Sequence, residues 1–296
     1  MEGADRLRIL PFPLLVDEAW RVTRAHVRRL FVPLALVLGP VALVLNLANG
    51  YWSMEAVRPT GDPFASCGLL LLLLGLVLAG MVAIWGIYGV LMVATVRLTA
   101  GDPIDWGRDL RFFLHPRVWG TDLLAWILIS IGFLACILPG VVLMTMWGLR
   151  MPVMVREGRF GFAALSRSRE LLRNRGGAPW TSHPLLKMFL VVVLGIVLGY
   201  AVTLVVQLPP TIAGQLLMMR EMAAGEAADP ASTMRAVLWL TIPAGVLASL
   251  AQLGVRIYLD FVIALLHRDQ WRRREGRDLE AELDRLQGAS VGAGRG

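Results

Sequence analysis

Long apolar runs separated by short polar stretches set the pattern of this chain. They cover residues 31–48, 67–96, 120–138, 139–155, 186–208 and 237–266. Each reaches or approaches the roughly 20 residues that a bilayer's hydrocarbon core asks of a helix. The pattern predicts six membrane spans and an all-α polytopic fold, a six-helix transmembrane bundle with amphipathic helices on its cytoplasmic face. The second run is 30 residues long. As a helix it extends about 45 Å, so it tilts or projects beyond the hydrocarbon. Proline and glycine punctuate the runs. Pro139-Gly140 divides the third from the fourth, Pro209-Pro210 is expected to end the fifth, and Pro33, Gly39-Pro40 and Pro243 interrupt helices.

Between the runs the period changes. Val16, Ala19, Trp20, Thr23, Val27 and Leu30 share one helical face. Trp106, Leu110 and Phe113 make a shorter stripe, with Asp105 placed to cap it, and Phe162, Leu165 and Leu172 make a third. Interfacial helices are therefore expected over 14–30, 105–114 and 161–173. Each precedes a pair of spans, as three copies of one helix-hairpin unit would. Residues 211–233 read as a short helix resting on the outer surface, followed by a solvated turn at Glu226, Asp229 and Pro230.

Charge adds direction. The net charge is +7, and the basic residues are all arginine except Lys187. Of the 29 basic residues, 24 fall before the first run, after the second, after the fourth and in the tail. The opposite side holds Arg58, Arg220 and Arg235. Because cytoplasmic loops retain arginine, this asymmetry predicts a multi-pass protein of the cytoplasmic (inner) cell membrane with both termini in the cytoplasm. Residues 1–266 form the membrane domain, and 267–296 a basic cytoplasmic tail that loses order toward its end. The first 30 residues contain Glu2, Asp5, Asp17 and Glu18, unlike a cleavable signal. Hydrophobic residues make up 56% of the chain and charged ones 17%, which argues against a soluble enzyme.

Ionisable groups at membrane depth are the natural place to look for function. Arg256 and Asp260 lie four apart on the last run, and Arg150 lies on the fourth. The expectation is one intramembrane polar cluster of these three, either structural or in contact with a substrate or ion. Gly195 and Gly199 form a GxxxG for close helix packing. The chemical inventory is otherwise thin. His26, His115, His183 and His267 lack ligand spacing, Cys67 and Cys136 are isolated, and there is no GxSxG, Walker loop or clustered carboxylate set. No catalytic residue, metal or cofactor is expected, and no nucleic acid, since the basic patches abut the spans.

Two stretches carry a resemblance. The first is Leu138-Pro139-Gly140 through Arg150, Glu157-Gly158 and Ala163-Ala164-Leu165-Ser166-Arg167-Ser168. The second is His267-Arg268-Asp269-Gln270-Trp271-Arg272-Arg273-Arg274-Glu275-Gly276-Arg277-Asp278-Leu279. Together they resemble the bacterial membrane domain named after glycerophosphoryl diester phosphodiesterases. The resemblance implies structural roles for Pro139, Gly140, Glu157, Gly158, Ser166, Asp269, Arg273, Glu275, Gly276 and Asp278. The chain has no catalytic barrel, so the phosphodiesterase activity does not carry over. Glu157-Gly158 reads as a helix stop, and the tail arginines are expected to meet the Ser166 helix through an Arg–Glu or Arg–Asp contact. The leading reading is a non-catalytic membrane scaffold or accessory subunit that contacts anionic lipid headgroups on its inner face. A transporter of a small molecule or lipid, built on Arg150, Arg256 and Asp260, is the alternative. A membrane-embedded hydrolase comes last.

Overall fold

The computed structural model describes the backbone of residues 11–57, 63–173, 183–224 and 230–293, and side chains over 11–52, 67–173, 183–220, 223 and 235–273. The described residues are helical, without a strand: α1 (Phe12–Val57), α2 (Pro63–Ala100), α3 (Trp106–Phe113), α4 (Pro116–Ala135), α5 (Ile137–Met146), α6 (Arg150–Glu157), α7 (Phe162–Leu172), α8 (Pro184–Ala224) and α9 (Pro230–Ala293). Six stretches are long and apolar enough to cross a membrane: Phe12–Trp52, Cys67–Ala100, Pro116–Ala135, Ile137–Glu157, Pro184–Arg220 and Arg235–Arg273. The protein is an all-α, multi-pass membrane protein.

The described residues divide into two compact units. One gathers the described parts of Met1–Thr23, Met92–Val193 and Leu259–Gly296, and the other those of Arg24–Leu91 and Leu194–Tyr258. The first has the denser interior, with Phe113, Val118, Ile129, Leu149, Met154, Leu171 and Phe261 sealed from the surface. In the second, Leu71, Leu72, Met81, Val82, Tyr200 and Val205 all face outward. In lipid an outward leucine costs nothing, since acyl chains are as apolar as a protein core.

Several boundaries move from where the pattern put them. The hairpin between the third and fourth spans breaks at Cys136, which is fully extended (φ −175°, ψ 153°), and not at Pro139-Gly140. The cause is still Pro139. Its ring collides with the carbonyl four residues back in a continuing helix, so α4 must stop at Ala135, while a proline is tolerated in the first turn of α5. Gly140 lets the two helices close. A Cβ on Gly132 would lie 3.1 Å from the Cα and N of Gly140.

Pro209-Pro210 does not end the fifth span, because α8 continues through both prolines to Ala224. Membrane helices tolerate prolines where neighbours re-satisfy the freed backbone groups. The expected short outer helix is thus the end of α8. Of the expected turn, residues 225–229 lie outside the described residues, and Pro230 opens α9. The backbone of α9 is helical to Ala293, in keeping with the tail's run of Glu, Arg, Leu, Ala and Gln, all strong helix formers. The first interfacial helix, 14–30, is fused with its span in α1.

The amphipathic stripes also turn. Asp105 caps α3 as expected, its carboxylate accepting from the Arg108 N–H at 3.0 Å. That hydrogen bond, with the Arg108 charge, holds the carboxyl below its usual range. Yet Leu110, Trp20 and Phe162 face outward, at 46%, 50% and 69% exposure, and α3 buries Asp109 beside Phe113. At a headgroup boundary the apolar face has lipid to meet as well as protein.

The fourth span is itself broken. α5 ends at Met146, a turn spans Trp147 to Leu149, and α6 starts at Arg150. A broken helix at membrane depth leaves backbone groups that no water satisfies. Here Ser168 of α7 inserts its hydroxyl. It donates to the Met146 carbonyl at 2.8 Å and accepts from the Leu149 N–H at 3.2 Å. Ser168 is fully buried. We expect Ser168→Ala to orphan both groups and to destabilise the protein by about 1–3 kcal/mol. Ser166→Ala, on the exposed side of α7, should change little. Thermal unfolding of both variants in detergent, followed by tryptophan fluorescence, checks the contrast.

Candidate functional site

Of the three ionisable residues expected to cluster at membrane depth, Arg150 lies on α6 and Arg256 and Asp260 on α9. Arg150, the first residue of α6, is held by Asp122 of α4. Its Nε donates to Asp122 Oδ1 at 2.7 Å and its Nη2 lies 2.6 Å from the same oxygen. Nη1 also donates to the Trp147 carbonyl at 3.3 Å, and the guanidinium lies 5.7 Å from the Trp126 ring centroid. Arg150 thus closes the same helix break as Ser168. Asp122, which no pattern in the sequence marks, is its partner. On α9, Asp260 is fully buried and Arg256 lies 5.7 Å from the Tyr88 ring centroid.

The richer assembly of charge forms where α6, α7 and α9 meet. Gly158, in the left-handed region at φ 64°, stops α6 directly after Glu157, as its sequence suggests. Gly161, also at positive φ, turns the chain into α7, and its N–H donates to Thr121 Oγ1 at 2.7 Å. This geometry leaves Glu157 facing three basic side chains. Arg167 Nε donates to its Oε2 at 2.7 Å, while His267 Nε2 and Arg159 Nε each lie 3.6 Å from a carboxylate oxygen. Arg167 also donates to Glu170 at 3.2 Å. Burial by itself would lower the Arg167 guanidinium, but the bonds to Glu157 and Glu170 outweigh it and hold the group above its usual value.

Beside this node three arginines crowd together. Arg268 of α9 donates Nη1 to the Thr99 carbonyl at 3.2 Å, which fixes its position. Arg272, one turn on, and Arg156 of α6 are both close enough to repel its charge, and Glu18 of α1 supplies an opposing one. Arg156 lies 5.8 Å from the Trp271 ring centroid. Both Arg156 and Arg272 are exposed. Next to them Asp269 pairs with Arg273 on its own helix at 2.8 Å and attracts the buried Lys187 of α8. Nearby on α3, Asp109 bonds Arg97, yet its burial dominates and pushes the carboxyl above its usual range.

The tail therefore meets α6, through His267 with Glu157 and Trp271 with Arg156. For the Arg–Glu or Arg–Asp contact expected between the tail and α7, the side chains of Arg274, Glu275 and Asp278 lie outside the described residues. Of the residues marked by the resemblance, Pro139, Gly140, Glu157 and Gly158 shape the hairpin and the stop. Asp269 and Arg273 pair with each other. Ser166 is exposed, and its neighbour Ser168 makes the buried contacts. The Glu275, Gly276 and Asp278 side chains lie outside the described residues. The expected GxxxG contact is absent at Gly199, where a Cβ would meet open space, and Gly195 is partly exposed. One turn on, α8 and α9 meet through Gln252 Nε2 donating to Thr203 Oγ1 at 2.7 Å. No group of three or more His, Cys, Asp or Glu able to hold a metal comes together among the described residues.

In the sequence Arg156 is one of a basic surplus, and Arg268 and Arg272 belong to the tail stretch that carries the resemblance. What singles them out is convergence from two helices, which spacing within one helix does not reveal. Guanidiniums present planar forks of donors suited to anions, and the Trp271 indole lies beside Arg156. No protein-family profile matches the chain, and neither does any curated protein or solved structure.

Proposed function

We propose that this protein is a non-catalytic scaffold or accessory subunit of the cytoplasmic membrane that holds an anionic phospholipid headgroup at its inner face. It is a membrane domain of the kind its motif resemblance implies, with both termini of this domain in the cytoplasm. The observation that carries the reading is Arg156 of α6 seated over the Trp271 ring, with Arg268 and Arg272 on the adjoining turns of α9. A phosphodiester that meets these guanidiniums accepts several charge-assisted hydrogen bonds. Attraction of arginine to an anionic leaflet adds about 1 kcal/mol per residue. The transporter reading required charged groups lining an open cavity. Arg150 is committed to Asp122 and to its own helix break, which supports a structural role for that residue.

The reading is tested by reconstituting the full chain in phosphatidylcholine nanodiscs with a minor fraction of phosphatidylglycerol and determining the co-purified lipid by native mass spectrometry. The wild type should retain phosphatidylglycerol above its share of the disc. Arg156→Gln, Arg268→Gln and Arg272→Gln combined should return retention to that share. Equal retention by both proteins would overturn the assignment of the site.

A further inference from the structure

A second site lies in the unit that does not hold the converging arginines. A cleft of about 200 Å³ opens between α1, α8 and α9, lined among others by Asn46, Asn49, Gln207, Thr211, Thr241 and Gly245. None of its lining residues is ionisable. We infer that this cleft binds a neutral, hydroxyl-rich group of about the size of one sugar ring.

Three observations carry this. The first is placement. Asn46 stands 17 residues after Arg29 on one helix, about 26 Å along its axis. That rise approaches the hydrocarbon thickness, so the cleft sits at the membrane boundary opposite Arg24, Arg28 and Arg29 of α1. The second is construction. Asn46 Nδ2 donates to the Ala42 carbonyl of its own helix at 2.7 Å, which fixes the amide. A Cβ on Gly245 would run into the Asn46 Oδ1. Glycine at this position is what leaves space for the amide. Thr211 Oγ1 is likewise fixed, by donating to the Gln207 carbonyl at 2.7 Å, and Pro209-Pro210 and Pro243 interrupt the hydrogen-bond ladders of α8 and α9 around the cleft.

The third is chemistry. Amides offer donors and acceptors side by side, and a threonine whose hydroxyl donates to its own helix still accepts. A row of hydroxyls, which also donate and accept, complements such a lining, whereas an ion finds no countercharge. Pro210, Leu238 and Ile242 supply an apolar wall for the C–H face of a ring. The cleft is below the size range of drug-binding pockets and suits a single ring. The hydroxyl-rich group comes either on a glycolipid headgroup or as a free sugar.

Nanodiscs containing monoglucosyl diacylglycerol beside phosphatidylcholine distinguish these sources and test the site. The full chain should retain the glucolipid about fivefold above its share of the disc, and methyl glucoside, which competes for the same lining, should lower that retention. Displacement only by a large excess of methyl glucoside assigns the site to a headgroup, and displacement at a concentration comparable to the glucolipid's assigns it to a free sugar. Gln207→Leu and Thr211→Val, both at exposed positions and so harmless to packing, should each lower retention about three- to tenfold, as loss of one hydrogen bond predicts. Gly245→Ala should do the same by displacing Asn46. Retention at the disc's share in the wild type, or unchanged retention in all three variants, overturns the inference and leaves a cleft filled by water. The phosphatidylglycerol measurement does not depend on this outcome, so the two sites fail separately.

Discussion

Asp122→Ala is expected to destabilise the protein by about 3–5 kcal/mol, the cost of stranding a buried cation. The reason lies in what remains. Arg150 is only 11% exposed in its side chain and Asp122 5%. Removing the carboxylate leaves a guanidinium buried without its countercharge beside a broken helix. The break would lose more than one ion pair, because Arg150 also holds the Trp147 carbonyl. Removing both charges should be much milder, since two apolar side chains of similar volume replace a pair whose attraction largely repays its own desolvation. Asp122→Leu with Arg150→Met is therefore expected to recover most of the stability lost by Asp122→Ala. Thermal unfolding of the three proteins in the same detergent measures both effects. If the double variant were no more stable than Asp122→Ala, the pair would have a role beyond neutralising itself. If Asp122→Ala unfolded with the wild type, the pairing itself would be wrong.

Glu157→Ala should come next, at about 3–5 kcal/mol, because one carboxylate serves two helices. Arg167 of α7 and His267 of α9 reach it from different sides, at 17% and 3% side-chain exposure. Loss of Glu157 uncouples α6, α7 and α9 at their shared end. Glu157→Gln, which keeps an acceptor for Arg167 and loses the charge, should fall between the wild type and alanine. The loosening should also reach the neighbouring arginines, since Arg156 and Arg268 adjoin Glu157 and His267 in sequence. Hydrogen exchange of the amides over 156–168 should accelerate in Glu157→Ala. Unchanged exchange there would show that Glu157 is incidental to the junction.

Local rules made part of this legible. Gly158 follows Glu157 and takes a left-handed conformation that only glycine adopts without strain, so the stop of α6 was readable from two letters. Asp105 stands before a short amphipathic stretch and accepts the backbone N–H three residues on, which needs no neighbour from elsewhere. Stripe orientation was not readable. Leu110 and Asp109 occupy adjacent faces of α3, and which face turns inward depends on Arg97, twelve residues before Asp109 and on another helix. A hydrophobic stripe says that a helix has a side, and in a membrane lipid competes with protein for it.

The same division holds for the site. Arg150 stands out in the sequence because a charge at membrane depth is costly wherever it ends up, and Glu157 because Gly158 follows it in a helix stop. Asp122 and Ser168 do not, because an aspartate in the first turns of a span and a serine on a surface helix look ordinary until α4 and α7 are brought against the break after Met146. Six spans, their helical character and the arginine-rich ends follow from the chain alone, since transfer of apolar residues and backbone hydrogen bonding are settled within each segment. Tertiary packing decided where the fourth span breaks, which acid answers Arg150 and which arginines converge on Trp271. Those choices rest on distances between residues up to 28 positions apart for the ion pair and more than 100 for Arg156 and Trp271, and only a folded chain defines such distances.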